Sequence, residues 1–122
     1  MKERRSVIRG SLHAGVPAHL GEELCDTLVA AGRVRIERIV SRGHASPEGF
    51  RYDQERDEFV LLVRGRACLR FEGDAEVLVL EAGEYLNIPA GARHRVEWTD
   101  PEGDTVWLVV HHDSGDHPGV GA

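Results

Sequence analysis

The spacing of hydrophobic positions along this chain changes near Arg33. Before it, Pro17 to Ala31 carries Leu20, Leu24, Leu28 and Val29 at helical spacing, with Gly32 as a C-cap, and predicts a short amphipathic helix. After it the pattern is strand after strand. Arg33 to Glu37 alternates polar and apolar, and Glu58 to Val63 is apolar throughout after its first residue. Further strands are predicted at Arg66 to Phe71, Glu76 to Leu80, Glu84 to Ile88, His94 to Thr99 and Thr105 to His111. The segments between them are turn chemistry: Arg64-Gly65-Arg66, Glu72-Gly73-Asp74, Glu81-Ala82-Gly83, Ala90-Gly91-Ala92 and Asp100 to Asp104. Short strands at regular spacing joined by such turns predict an all-β sandwich or barrel. Asp113 to Ala122, rich in Gly and Asp with little to bury, is expected to be a disordered tail.

A length of 122 residues suits one domain with one core. The formal charge of −6 argues against nucleic-acid binding through a broad basic face, since the basic cluster Lys2, Arg4 and Arg5 is short and terminal. No apolar run approaches a membrane span and no signal-like segment follows Met1, so neither a membrane nor a secretory route is expected and a cytoplasmic address is the default. Two cysteines, Cys25 and Cys68, make no disulfide framework and no metal-binding pair, and are expected to be small fillers.

One stretch is more specific. Gly83, Pro89, Gly91 and His94 follow the spacing G-x5-P-x-G-x2-H, which resembles the second motif of the cupin family. That resemblance implies a small antiparallel β-barrel of jelly-roll type, with the histidine pointing inward to help bind a divalent metal. It covers residues 33 to 112, with residues 1–32 as an arm containing the helix and 113–122 as the tail. The family's first motif reads G-x5-H-x-H, a short spacer, then E-x6-G. Glu58 and Gly65 match its carboxylate half. Tyr52 and Gln54 stand where its two histidines belong, Ser46 replaces its leading glycine, and Trp98 stands in place of the second motif's trailing asparagine.

Strand parity favours this register. Tyr52, Gln54, Glu58, Val60 and Leu62 are separated by even numbers and share one face. A carboxylate on the apolar face needs a partner, because an isolated buried charge is costly. A metal is one such partner; an arginine such as Arg51, Arg93 or Arg95 is another. Two further expectations come from the turn at Asp100 to Asp104. If it closes a hairpin symmetric about residues 102 and 103, Trp98 faces Trp107 and His94 faces His111. A one-residue shift would send His111 outward.

With that pairing, Gln54, Glu58, His94 and His111 form a candidate metal-ligand set, and Tyr52, Trp98 and Trp107 line the pocket. Two imidazoles with a carboxylate suit Zn, Fe, Ni or Mn. Each residue has a plainer alternative: a hydrogen-bonded strand-start histidine at His94, a structural ion pair at Glu58, packing at Tyr52. His44 is kept in reserve. The leading expectation is a metal-dependent protein acting on a small polar molecule. A metal-free small-ligand or sensor cupin is the alternative, and a filled barrel used for protein interaction ranks third. The family resemblance also implies a homodimer, for which an exposed sheet edge would supply the motive.

Overall fold

Eight strands follow one another along the computed structural model, which describes residues 7–47, 49, 52 and 54–113. They are β1 (Leu24–Ala31), β2 (Val34–Ser41), β3 (Asp57–Arg64), β4 (Arg66–Phe71), β5 (Leu78–Glu81), β6 (Tyr85–Ile88), β7 (His94–Thr99) and β8 (Thr105–His112). The basic cluster near the N-terminus, Arg51 and the tail from 114 onward lie outside the described residues. Every pairing is antiparallel. One sheet has five strands in the order β1-β2-β8-β3-β6 and the other three in the order β5-β4-β7.

The expected helix is not formed. Leu24–Ala31 is instead the edge strand of the larger sheet, paired with β2 from Leu24↔Val40 to Ala31↔Val34. Helical spacing in a fifteen-residue window competed here with β-branched Thr27 and Val29 and with a hairpin turn. Gly32, at φ 57°, occupies the first position of a two-residue loop, where glycine at positive φ is required just as it is at a helix C-cap. The backbone before β1 is held by side chains. Arg38 donates to the carbonyls of Leu12 (3.2 Å) and Ala14 (2.5 Å), and Arg42 donates to that of Ala18 at 2.8 Å.

The two sheets share one core. Val60, Leu62, Trp107 and Val109 of the five-stranded sheet pack in a single cluster with Ala67, Leu69 and Leu80 of the three-stranded one. Among the described residues the ladders remain two separate sheets, so the expected barrel is seen as two facing layers. The alternation that builds this core is plain in β8, where Trp107, Val109 and His111 are buried and Leu108, Val110 and His112 are half-buried.

The expected β7–β8 hairpin is also absent. β7 pairs with β4, while β8 lies between β2 and β3 in the other sheet. The chain crosses between layers at Asp100 to Asp104, and Arg42 fixes that loop by donating to Asp104 at 2.7 Å. Gly65 sits where β3 turns into β4. Its φ is 91°, and a Cβ there would stand 2.5 Å from the Thr105 hydroxyl and 2.8 Å from the Thr105 Cα.

Candidate functional site

A cavity of about 260 Å³ opens between the two sheets. Its apolar wall is Ile39, Val60, Leu69, Val96, Trp107 and Val109; its polar groups include Glu23, Cys25, Glu37, Gln54, Glu58, His94 and His111. Six of the seven residues expected in the site therefore line it: Tyr52, Gln54, Glu58, His94, Trp107 and His111. Trp98 does not. It is 38% exposed, and the Arg66 guanidinium lies 5.7 Å from its ring centroid on the outer surface. Its placement in the pocket depended on the hairpin that does not form.

The histidines arrive by a different route from the one expected. Glu58 of β3 is the direct cross-strand partner of His111 of β8, so parity places both on the inner face. His94 comes from the opposite sheet, where it pairs with Phe71 of β4 and bridges to the backbone of Tyr52. Tyr52 and Phe71 both pack against its ring, at centroid distances of 5.3 and 5.4 Å. His94 is 4% exposed, His111 6% and Glu58 9%.

Both imidazoles are anchored by their outer nitrogens. His94 Nδ1 lies 2.9 Å from the carbonyl of Ala92, which can only accept, so Nδ1 carries the hydrogen and Nε2 is left bare. That bare Nε2 is the atom nearest Glu58, 4.0 Å from its Oε1. His111 Nε2 donates to Glu37 Oε1 at 2.6 Å, and its Nδ1 stands 3.9 Å from Glu58 Oε2. Glu58 thus lies between two imidazole nitrogens. Of the expected arginine alternatives, the two among the described residues are engaged elsewhere, Arg93 with Glu72 at 3.1 Å and Arg95 with Glu97 at 3.5 Å.

Around this centre, burial first and the charge of Glu37 second push the Cys25 thiol up to about 11. Burial, followed by the nearby Glu23 carboxylate, raises the Tyr52 hydroxyl above its ordinary value. Gln54 borders the cavity, and its backbone carbonyl accepts from Gly91 at 2.9 Å, tying the loop before His94 to the segment before Glu58. Trp107 donates from its indole to Ser41 at 3.1 Å. His44, kept in reserve, lies outside this cavity, and its Nδ1 accepts from the Arg42 amide at 2.8 Å.

Sequence reasoning missed Glu23, Cys25, Arg35 and Glu37. The first two belong to the stretch expected to be a helix, Pro17 to Ala31. A signal for the last two was present, since Arg35, Glu37 and Ile39 alternate on one face of a strand.

The Cupin domain family model matches residues 38–111, which contain Glu58, His94 and His111. A solved structure from Ralstonia eutropha JMP134, named "putative mannose-6-phosphate isomerase", is 45% identical, covering 87% of this chain and 98% of its own, with a TM-score of 0.83. The chain belongs to the cupin family. More distant cupins share the fold. A cupin superfamily protein from Desulfitobacterium hafniense DCB-2 is 20% identical, covering 81% of this chain and 84% of its own, at a TM-score of 0.65. An RmlC-like cupin with a double-stranded β-helix fold, from Methanocaldococcus jannaschii, is 18% identical, covering 81% and 87%, at 0.63. No curated protein matches.

As a cupin, the chain departs from its family pattern at Tyr52 and Gln54. Among the described residues no group of three or more His, Cys, Asp or Glu side chains is gathered as a formed metal cage. Donor atoms sharing a tetrahedral ion at about 2.1 Å stand roughly 3.4 Å apart. The gaps of 3.9 and 4.0 Å to Glu58 are wider than that, so its carboxylate must turn and the rings must close on it for all three to share an ion. The donor types suit such an ion: each ring has a nitrogen within 4.0 Å of the Glu58 carboxylate and an acceptor on its far side.

Proposed function

We propose that this cupin holds a divalent metal ion between Glu58, His94 and His111, and uses the rest of the cavity to bind a small polar molecule. The observation that carries this reading is the orientation of the two rings. Each commits its outer nitrogen to an acceptor and turns its bare nitrogen on the same carboxylate. Gln54 offers an amide oxygen at the edge of the set. When bound, such an ion supplies Lewis acidity toward a carbonyl or a bound water. Trp107 offers an apolar face to the small molecule, and Tyr52 a protonated hydroxyl.

The lining also bears on the charge of the ligand. Glu23, Glu37 and Glu58 face one guanidinium, that of Arg35, which is half-exposed and 3.5 Å from Glu37. A cation or a neutral polyol suits that interior, whereas an anionic group is accommodated only at Arg35. If a sugar phosphate is the ligand, as the name of the Ralstonia relative suggests for that protein, its sugar end faces Glu58 and its phosphate faces Arg35.

The test is elemental analysis of protein purified without chelator and then reconstituted with Zn, Fe, Ni or Mn. About one equivalent per chain is expected, falling to background in His94→Ala. Less than a tenth of an equivalent after reconstitution would leave the second reading, a metal-free ligand-binding cavity, which the wide gaps around Glu58 favour.

We further propose that two copies pair through the outer face of the five-stranded sheet. Cross-strand neighbours there include apolar side chains: Ile36, Val110 and Phe59 beside Asn87 in one row, and Leu108, Leu61 and Tyr85 beside Arg38 in the next, with Tyr85 65% exposed.

A further inference from the structure

Glu37 stands outside both motifs, yet it makes the shortest contact with either imidazole. It reaches His111 diagonally across the β2–β8 ladder, where Arg35 is the direct partner of His111 and Glu37 that of Val109. Both side chains are largely removed from water, at 12% and 8% exposure. Its second oxygen is also held. Oε2 receives the Cys25 thiol at 3.5 Å and lies 3.5 Å from the Arg35 guanidinium. The carboxylate is therefore fixed from two sides, with Oε1 left to accept from one ring nitrogen.

We infer that Glu37 is the positioning residue of this site: by accepting from His111 Nε2 it fixes the tautomer that leaves Nδ1 bare and facing Glu58. A neutral imidazole carries one hydrogen, so a bond that holds it on Nε2 clears the other nitrogen. Without that acceptor the ring is free to protonate on Nδ1, which would turn an N–H toward the space where a cation is to sit. His94 gains the same service from a backbone carbonyl, which substitution of side chains cannot remove. His111 depends on a side chain, so it is the ligand whose geometry can be tuned. A ring anchored to a carboxylate is also the more basic donor. The consequence for metal affinity rests on the proposed function; the tautomer does not.

The first measurement needs no metal and no variant. Long-range ¹H–¹⁵N correlation of the histidine rings in metal-free wild-type protein, at alkaline pH where imidazole is neutral, is expected to show His111 with a protonated Nε2 and a bare Nδ1. Any pattern that places the proton on Nδ1 overturns the inference. The second compares wild type with Glu37→Leu. The variant should mix the two tautomers of His111 while leaving His94 unchanged. Its dissociation constant for Zn²⁺ alone should rise about 10- to 100-fold. An unchanged tautomer or an unchanged constant overturns the assignment. If wild type itself binds no Zn²⁺, the metal reading fails while the tautomer still decides the role of Glu37. Should Glu37→Leu not fold, the wild-type spectrum decides alone.

Discussion

Cys25 lines the cavity and is exposed, yet partial desolvation first and the Glu37 carboxylate second oppose its ionisation. With the thiol near 11, only about a thousandth is thiolate at pH 8, against about a quarter for an ordinary cysteine. Alkylation of Cys25 by iodoacetamide at pH 8 is therefore expected to run about a hundredfold slower than that of a free thiol, and to speed up in Glu37→Gln. Peptide mass spectrometry over a time course reads this directly, and a rate equal to that of glutathione would contradict it. At this scale much of the site was legible. Even spacing alone put Glu58 on the inner face with Val60 and Leu62, and the interval back from Glu58 found Tyr52 and Gln54. Glu37 was not legible, because its importance lies in a diagonal contact across a ladder that no local pattern specifies.

At the scale of elements, Gly65 shows how tightly the crossing between sheets is built. Its left-handed backbone disfavours any side chain, and a Cβ would press on Thr105 backbone as well as its hydroxyl. Gly65→Ala should cost at least about 2 kcal/mol of stability, measured by urea unfolding. A change below about half a kcal/mol would show that the turn can relax. By contrast Gly83 has open space around its missing side chain, and only its φ of 92° constrains it. The strands from β2 onward were legible because alternation and turn residues agree along them. Two errors had physical causes. Leucines three and four apart satisfy a helix as readily as an edge strand with a bulge, and β1 shifts register between Thr27 and Val29. The short turn at Asp100 to Asp104 favours a hairpin locally, but β8 pairs with β2 and β3 in the larger sheet while β7 pairs with β4 in the smaller one. His94 and His111 were thus expected together for a reason the fold does not use.

At the scale of the whole molecule, the site exists only because two sheets face each other. Glu58 and His111 come from one layer and His94 from the other. The family motifs brought Glu58 and His94 together, across a separation that spacing within one strand does not reach, whereas His111 was expected only through a hairpin that does not form. The same large sheet carries half-buried apolar side chains and the exposed Tyr85 on its outer face, and light scattering on a gel-filtration column should return twice the chain mass, falling to one chain in Phe59→Lys combined with Tyr85→Lys. A monomeric mass for the wild type at micromolar concentration would contradict that pairing. The whole account turns on whether Glu58, His94 and His111 hold an ion across the gap between the layers. Anomalous diffraction at the metal edge, from crystals of protein reconstituted with Zn²⁺, addresses this most directly. The expected result is a single peak within about 2.0–2.2 Å of His94 Nε2, His111 Nδ1 and a Glu58 oxygen. An experimental map with no anomalous peak there, or with a peak bound to other side chains, would contradict it.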